Sequence, residues 1–301
     1  MEVANTFNSL SFETLVEAVG YHGVTPYLRL QNKVAIVTGG ASGIGANIVL
    51  EFLKENIKHV AIIDIDVDSG IKLQDLIDVK YGKGKATFYK CDITNEVQLQ
   101  EVFCNVIEKN QSMDILVNNA GVADDSREMY KRTIEINFTA LVTTSIMALD
   151  HMRVDKGGKG GTIINISSIT ALDPSISAVH IYSSTKAAVI HFSTRLGMDP
   201  QYSHTNVRVL TVCLGATDTK IMQKCAGFDD ITSGQIEQLL EFLQTQNLLQ
   251  CPSVAAKLIV DICQKGKSAD MWLVQNGEAT DVTDTLKEAY ANIKEIVGFK
   301  T

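Results

Sequence analysis

Proline is scarce in this sequence, with four residues in 301, and tryptophan occurs once. So little proline excludes proline-rich linkers, collagen-like repeats and low-complexity arms. No run of about 18 apolar residues is present, so no bilayer-spanning helix is expected. Basic residues are outnumbered: Lys+Arg 27 against Asp+Glu 35 gives a formal net charge of -8, and no basic stripe exists. A nucleic-acid backbone or an anionic membrane is therefore a poor partner. The first residues, Met1, Glu2 and Val3, lack the basic and apolar regions of a secretory signal. Six cysteines (Cys91, Cys104, Cys213, Cys225, Cys251, Cys263) are scattered without a CxxC pair. That pattern fits neither a zinc site nor a disulfide framework, and implies a reduced, cytoplasmic chain with no metal.

What is present is a hydrophobic content of 45% arranged as short unbroken apolar runs. These are Val34–Val37, Val60–Ile63, Ala86–Tyr89, Ile115–Val117, Thr162–Ile166, Val207–Val212 and Met271–Val274. Unbroken runs, as opposed to alternating ones, mark strands buried on both faces of a parallel sheet. Helical patterns lie between them, near 44–55, 69–80, 95–109, 127–152, 180–198 and 253–264. The alternation predicts a single-domain, doubly wound (Rossmann-type) α/β fold: a seven-stranded parallel sheet with helices on both faces. Residues 33–275 form that domain, with a segment at about 220–250 placed to cover a pocket. Residues 1–32 form an N-terminal extension in which Ser11 could cap a helix carrying Leu15, Val16 and Val19. Residues 276–301 form a tail with a helical pattern from near Thr283.

The strongest local signal follows the first strand: Thr38-Gly39-Gly40-Ala41-Ser42-Gly43-Ile44-Gly45. A phosphate needs close backbone approach and unpaired N–H groups at a helix N-terminus, which glycines between a strand and a helix allow. The second strand ends at Asp64, 19 residues after Gly45. A carboxylate there accepts the adenosine ribose hydroxyls and repels a 2′-phosphate, so NAD is expected over NADP. Asp64, Asp66 and Asp68 imitate a calcium loop, but the glycine falls at the seventh position, not the sixth, and no entering helix precedes them.

Downstream, Tyr182 and Lys186 stand four apart on one helix face, where Lys186 can lower the phenol pKa from about 10. Asn165-Ile166-Ser167-Ser168 ends the fifth strand, bringing a hydroxyl to the carboxyl edge where ligands bind.

Taken in order, TGGASGIG (38–45), Asp92, NNAG (118–121), Asn137, Ser167-Ser168, YSSTK (182–186) and LGATDT (214–219) resemble the short-chain dehydrogenase/reductase family over about residues 33–275. DILVNNAG and GGKGGTIINISS (157–168) are similar to the insect alcohol dehydrogenase and hydroxyprostaglandin dehydrogenase-like branch. The resemblance implies that Tyr182 is the acid/base, that Lys186 tunes it and that Ser168 holds the substrate oxygen. Strand register prefers Ser168 over Ser167. Asn137 would anchor a relay water. Asp92 would hydrogen-bond the adenine, Ile65, Cys91 and Ile93 would also contact the cofactor, and Asn119, Ala120 and Gly121 would line the adenosine side. Gly215, Thr217 and Thr219 would meet the nicotinamide. Leu214-Gly215 replaces the family's Pro-Gly pair, and a looser turn is expected there.

The segment Ile231–Leu249 carries Ile236, Leu239, Leu240, Leu243 and Leu248 as a stripe that would suit a lipophilic alcohol or ketone. Two readings stand: an NAD-dependent alcohol dehydrogenase, expected as a homodimer, or a catalytically weak dinucleotide- or lipid-binding protein on the same scaffold.

Overall fold

The computed structural model describes residues 27–298; the anticipated helix around Leu15, Val16 and Val19 lies outside them. Strands β1 (Val34–Thr38), β2 (His59–Asp64), β3 (Ala86–Lys90), β4 (Ile115–Asn118), β5 (Gly161–Ser168), β6 (Val207–Leu214) and β7 (Met271–Gln275) form the parallel sheet expected from the apolar runs. The sheet has eight strands, not seven, in the order β3-β2-β1-β4-β5-β6-β7-β8. The addition, β8 (Glu278–Asp281), runs antiparallel to β7 through a tight turn at Asn276-Gly277. It escaped the sequence reading because it is a largely exposed edge strand, Glu-Ala-Thr-Asp, with no apolar run. The sheet thus continues past residue 275 into what reads as a tail.

Helices cover both faces. On one side α1 (Gly43–Lys54) lays Ile48, Val49 and Phe52 against β1 and β2, and α10 (Pro252–Lys265) packs beside it through Ala255, Ile259 and Ile262. α2 (Val67–Tyr81) lies toward the β3 edge of the same side. On the other side α3 (Glu96–Asn110), α5 (Ala140–Met152) and α6 (His180–Gly197) cover the sheet. Asp66 and Asn95 cap α2 and α3 by accepting from the Ser69 and Gln98 amides at 3.1 Å each.

The single helix expected over 127–152 is interrupted. A short helix α4 (Tyr130–Ile134) leads into a π-helical turn, Glu135–Thr139, before α5 begins. One residue too many sits in that turn, a pattern that tends to mark functional positions. Asn137 is in it.

The segment before the seventh strand contains α8 (Lys220–Gln223) and α9 (Asp230–Thr245), separated from α6 by α7 (Gln201–Thr205) and β6. Asp229 and Thr232 cap α9 reciprocally. Of the apolar stripe, Ile236 is buried and Leu240 packs beside it, whereas Leu248 is partly exposed. The last helix, α11 (Thr283–Val297), begins where the periodicity placed it and touches α6, where Tyr290 Oη and His191 Nε2 lie 3.1 Å apart.

Candidate active site

β1 and β4 are neighbours whose chains leave the sheet in opposite directions, and ligands of open α/β sheets bind at the carboxyl ends of such strands. The glycine loop occupies that edge. Gly39 sits at φ +62°, and a Cβ at Gly45 would lie 2.1 Å from the Gly39 carbonyl oxygen, so both positions need glycine. Thr38 at the end of β1 accepts the Asn119 and Ala120 amides at 3.1 Å each. The Asn119 side-chain amide donates to the Thr38 and Gly39 carbonyls at 3.0 and 3.2 Å. Asn119 therefore holds the glycine loop in shape.

A dinucleotide fits this edge on two observations. Ser42, the N-cap of α1, makes no side-chain cap bond, so the first-turn N–H groups around Gly43, Ile44 and Gly45 have neither an intrahelical partner nor a cap. Asp64 ends β2 with one oxygen accepting the Ala41 amide and the other the Asp66 amide, 3.0 Å each. Each carboxylate oxygen keeps a second lone pair for a hydroxyl. Ile65, next to it, is well exposed.

The adenine-side residues are partly engaged by the protein itself. Cys91 is buried, and Ile93 packs into the core beneath it. Asp92 accepts from the Thr94 amide and hydroxyl at 3.0 and 2.8 Å and pairs with Arg132 at 2.5 Å. Burial pushes its carboxyl up, but the Thr94 bonds and the Arg132 guanidinium outweigh burial and hold it below the usual range.

The catalytic candidates meet at the ends of β4 and β5 and the start of α6. Ser167 and Ser168 face opposite ways, as successive strand residues must. Ser167 donates to the Lys186 carbonyl at 2.8 Å, whereas Ser168 Oγ accepts from the Thr170 amide and hydroxyl at 3.2 and 3.1 Å and faces the Tyr182 phenol closely enough to lower its pKa. Lys186 is buried, donates from Nζ to the Ile166 carbonyl at 3.0 Å, and lies 5.7 Å from the Tyr182 ring centre. Burial pushes the phenol up to about 12, against the lowering influence of the Ser168 hydroxyl, and brings the Lys186 ammonium down to about 8.

Asn137 is fully buried, and the protein occupies both ends of its amide. Oδ1 accepts the Val122 amide at 2.9 Å; Nδ2 donates to the Val122 carbonyl at 2.8 Å and to Thr185 Oγ1 at 3.2 Å. The side chain thus fastens the loop after Gly121 to the turn of α6 that carries Lys186. Deeper in, a buried amide and hydroxyl chain ties β4, β5, α5 and α6: Asn118 donates to Asn165 and Ser145, and Asn165 donates to Ser193, each at 2.9 Å. Such networks fix one arrangement of their elements when every member is satisfied.

The loop after β6 is tighter than its missing proline suggests. The Gly215 amide donates to Val274 at 2.8 Å, Thr217 Oγ1 donates to the Gly215 carbonyl at 2.9 Å, and Thr219 Oγ1 donates to the Thr217 carbonyl at 3.3 Å. Gln250, unforeseen from the sequence, exchanges main-chain bonds with Ala216 and Asp218 and donates from its side chain to Thr217 Oγ1 at 3.0 Å and the Val274 carbonyl at 3.1 Å. No sequence signal pairs Gln250 with a loop more than thirty positions away. Thr219 stands beside Gly43, closing the ring of cofactor candidates.

Above Tyr182 the walls are apolar: Ile176, Ala178 and Val179 before α6, Cys225 after α8, and Ile236 and Leu240 of α9. Among the described residues no helix is long and apolar enough to cross a membrane, and no group of three or more His, Cys, Asp or Glu side chains could hold a metal.

Comparison with known proteins returns one picture. Residues 33–228 match the family described as short chain dehydrogenase. A mouse 15-hydroxyprostaglandin dehydrogenase [NAD(+)] is 33% identical over 196 residues, covering 65% of this chain and 71% of that protein. The human enzyme of that name is 28% identical over 236 residues, covering 77% and 86%. A 3-ketoacyl-(acyl-carrier-protein) reductase from Brucella melitensis, crystallised with NADH, superposes with TM-score 0.69 at 21% identity, over 82% of this chain and 98% of that one. At that identity the likeness speaks for the fold.

Proposed function

The chain belongs to the short chain dehydrogenase family, and from that premise we propose that it is an NAD-dependent oxidoreductase moving a hydride between the carbinol carbon of a lipophilic alcohol and NAD. The observation that carries the reading is the convergence of Ser168, Tyr182 and Lys186 under an apolar wall at the carboxyl edge of the sheet. The names of the relatives support NAD and a hydroxylated lipid as the kinds of molecule to test first.

In this reading NAD supplies the hydride acceptor when bound, and its positive ring stabilises an adjacent phenolate. Thr38, Gly39, Ser42, Gly43, Ile44, Gly45 and Asp64 would form the edge that holds its phosphates and adenosine ribose, with Ile65, Cys91, Asp92, Ile93, Asn119, Ala120 and Gly121 around the adenosine. Gly215, Thr217 and Thr219 would line the nicotinamide end. Ser168 orients the substrate hydroxyl toward the Tyr182 Oη, which takes its proton. Burial alone makes the phenol a poor proton donor and a strong base once ionised. In the nucleotide-free chain only the Ser168 hydroxyl works against burial at the phenol; the Lys186 ammonium, 5.7 Å from the ring centre, would together with the charge of bound NAD bring it toward working pH. Asn137 keeps the loop and α6 in register so that the proton leaves along one path.

We place the protein in the cytoplasm as a homodimer. Its described cysteines are all unpaired, and Ile134 and Ile146, at the helices beside α6, are exposed apolar side chains suited to a second copy. The test is turnover of aliphatic, terpenoid, retinoid, steroid and hydroxylated fatty-acid alcohols with NAD against NADP, with sedimentation of the purified protein for its assembly state.

A further inference from the structure

α6 carries both Tyr182 and Lys186, yet it starts without a local cap. The residue before it, Val179, has no side-chain oxygen, and the N–H groups of a first helical turn have no intrahelical acceptor. The missing acceptor comes from more than fifty positions upstream. The two carboxylate oxygens of Asp125 accept from the Ile181 and Tyr182 amides at 2.8 and 2.9 Å, and the side chain is fully buried. A buried carboxylate is costly unless paired, and two amide bonds at the positive end of a helix are the arrangement that keeps it charged. Asp125 also reaches the opposite way. Its own amide donates to the Ala226 carbonyl at 2.9 Å, and Asp124 forms a parallel bridge with Ala226. Cys225, the neighbour of Ala226, packs against the same apolar cluster as Tyr182, that of Ala178, Val179 and Ile236. One residue therefore joins the loop after β4, the first turn of the catalytic helix and the segment leading into α9.

We propose that Asp125 is a positioning residue for the reaction: it sets the height of Tyr182 above the Ser168 hydroxyl and couples that height to the placement of the covering segment. The inference rests on the oxidoreductase reading above, and it extends that reading to a residue outside the family-like motifs. The charged and titratable groups facing the clamp are Asp124 on its own loop, His180, Tyr182 and Lys186 on α6, and Cys225 on the covering segment. Burial pushes the Asp125 carboxyl up, against the two amide bonds and His180, and its negative charge in turn disfavours the Tyr182 phenolate.

Asp125→Asn keeps the shape but offers one acceptor where two amides need one each, and its NH2 group faces an N–H. Hydrogen exchange should speed up by about tenfold or more at Ile181 and Tyr182, with distant amides unchanged. The kcat for alcohol oxidation should fall by about 10–100-fold through misplacement of the phenol, with NADH affinity retained. The acid limb of kcat/KM should move to lower pH, because a negative charge beside the phenol has gone; a purely structural cap would leave that limb in place. Unchanged exchange, or faster exchange with kcat and the pH limb intact, overturns the proposal. If the wild-type protein turns over no alcohol, the oxidoreductase reading fails on its own. Exchange and the titration of the Tyr182 phenol, read as the difference from Tyr182→Phe in each background, then decide the clamp: faster exchange with a lowered phenol pKa upholds it, and no change in either removes it. Should Asp125→Asn be recovered unfolded, Asp125→Ser, which keeps one short acceptor, takes its place under the same outcomes.

Discussion

Replacing Asn137 by alanine removes a side chain that no water can reach and whose every polar atom is matched to a protein partner. The half-buried Val122 amide and carbonyl lose their acceptor and donor together. Leaving a buried donor or acceptor unpaired costs about 1–3 kcal/mol, and the Thr185 hydroxyl still has the Tyr182 carbonyl to donate to. Relaxation and non-additivity keep the total below a simple sum, so the expected loss is about 3 kcal/mol. In a domain of this size each kcal/mol moves Tm by roughly 2–4 °C, giving a fall of about 6–12 °C. Differential scanning calorimetry measures it, and NADH binding reports whether the cofactor edge survives. The loop after Gly121 should loosen more than the glycine loop, which has its own Asn119 supports. A Tm within about 2 °C of wild type would refute the reasoning, because the amide would then not be closing the π turn onto α6.

Asp64→Ser should bring NADPH and NADH affinities together, since the charge that repels a 2′-phosphate is gone; Trp272-sensitised nicotinamide fluorescence measures both, and an unchanged preference for NADH would count against Asp64. Gly45→Ala should yield little folded protein, because its Cβ would sit 2.1 Å from a main-chain oxygen that cannot swing aside; a stable, NAD-binding variant would contradict the loop geometry. In the nucleotide-free protein the Tyr182 phenol, taken as the wild-type minus Tyr182→Phe ultraviolet difference, should titrate above the ordinary phenol value of about 10, toward the 12 that burial imposes. Ionisation near neutral pH without NAD would show that burial is not the dominant influence.

The parallel core was legible because strands buried on both faces need no alternation: Val34–Thr38 and His59–Asp64 stand out as apolar runs. β8 was not, since an exposed edge strand has no apolar face to advertise it. The break before α5 was hidden for another reason: Glu-Ile-Asn-Phe-Thr keeps a helical composition, and the π turn comes from tertiary bonds of Asn137 to Val122 and Thr185. Local motifs carried the positions of Asp64, Ser168, Tyr182 and Lys186. They carried nothing about Asp125 or Gln250, whose partners lie far along the chain and meet them through the sheet order alone. The expected slack at Leu214-Gly215 followed from reading a turn by its own residues, where the structure holds it from outside.

The central claim is that Tyr182 takes the proton of an alcohol whose hydride goes to NAD. Its most direct test is NADH formation by wild-type protein and by Tyr182→Phe, with saturating NAD and a series of hydroxylated lipids. The account predicts turnover by the wild type, a loss of about 10²–10⁴-fold in the variant, and undiminished NADH binding by both. Equal rates in the two proteins, or no NADH from any alcohol by a wild-type protein that binds NAD tightly, would contradict it.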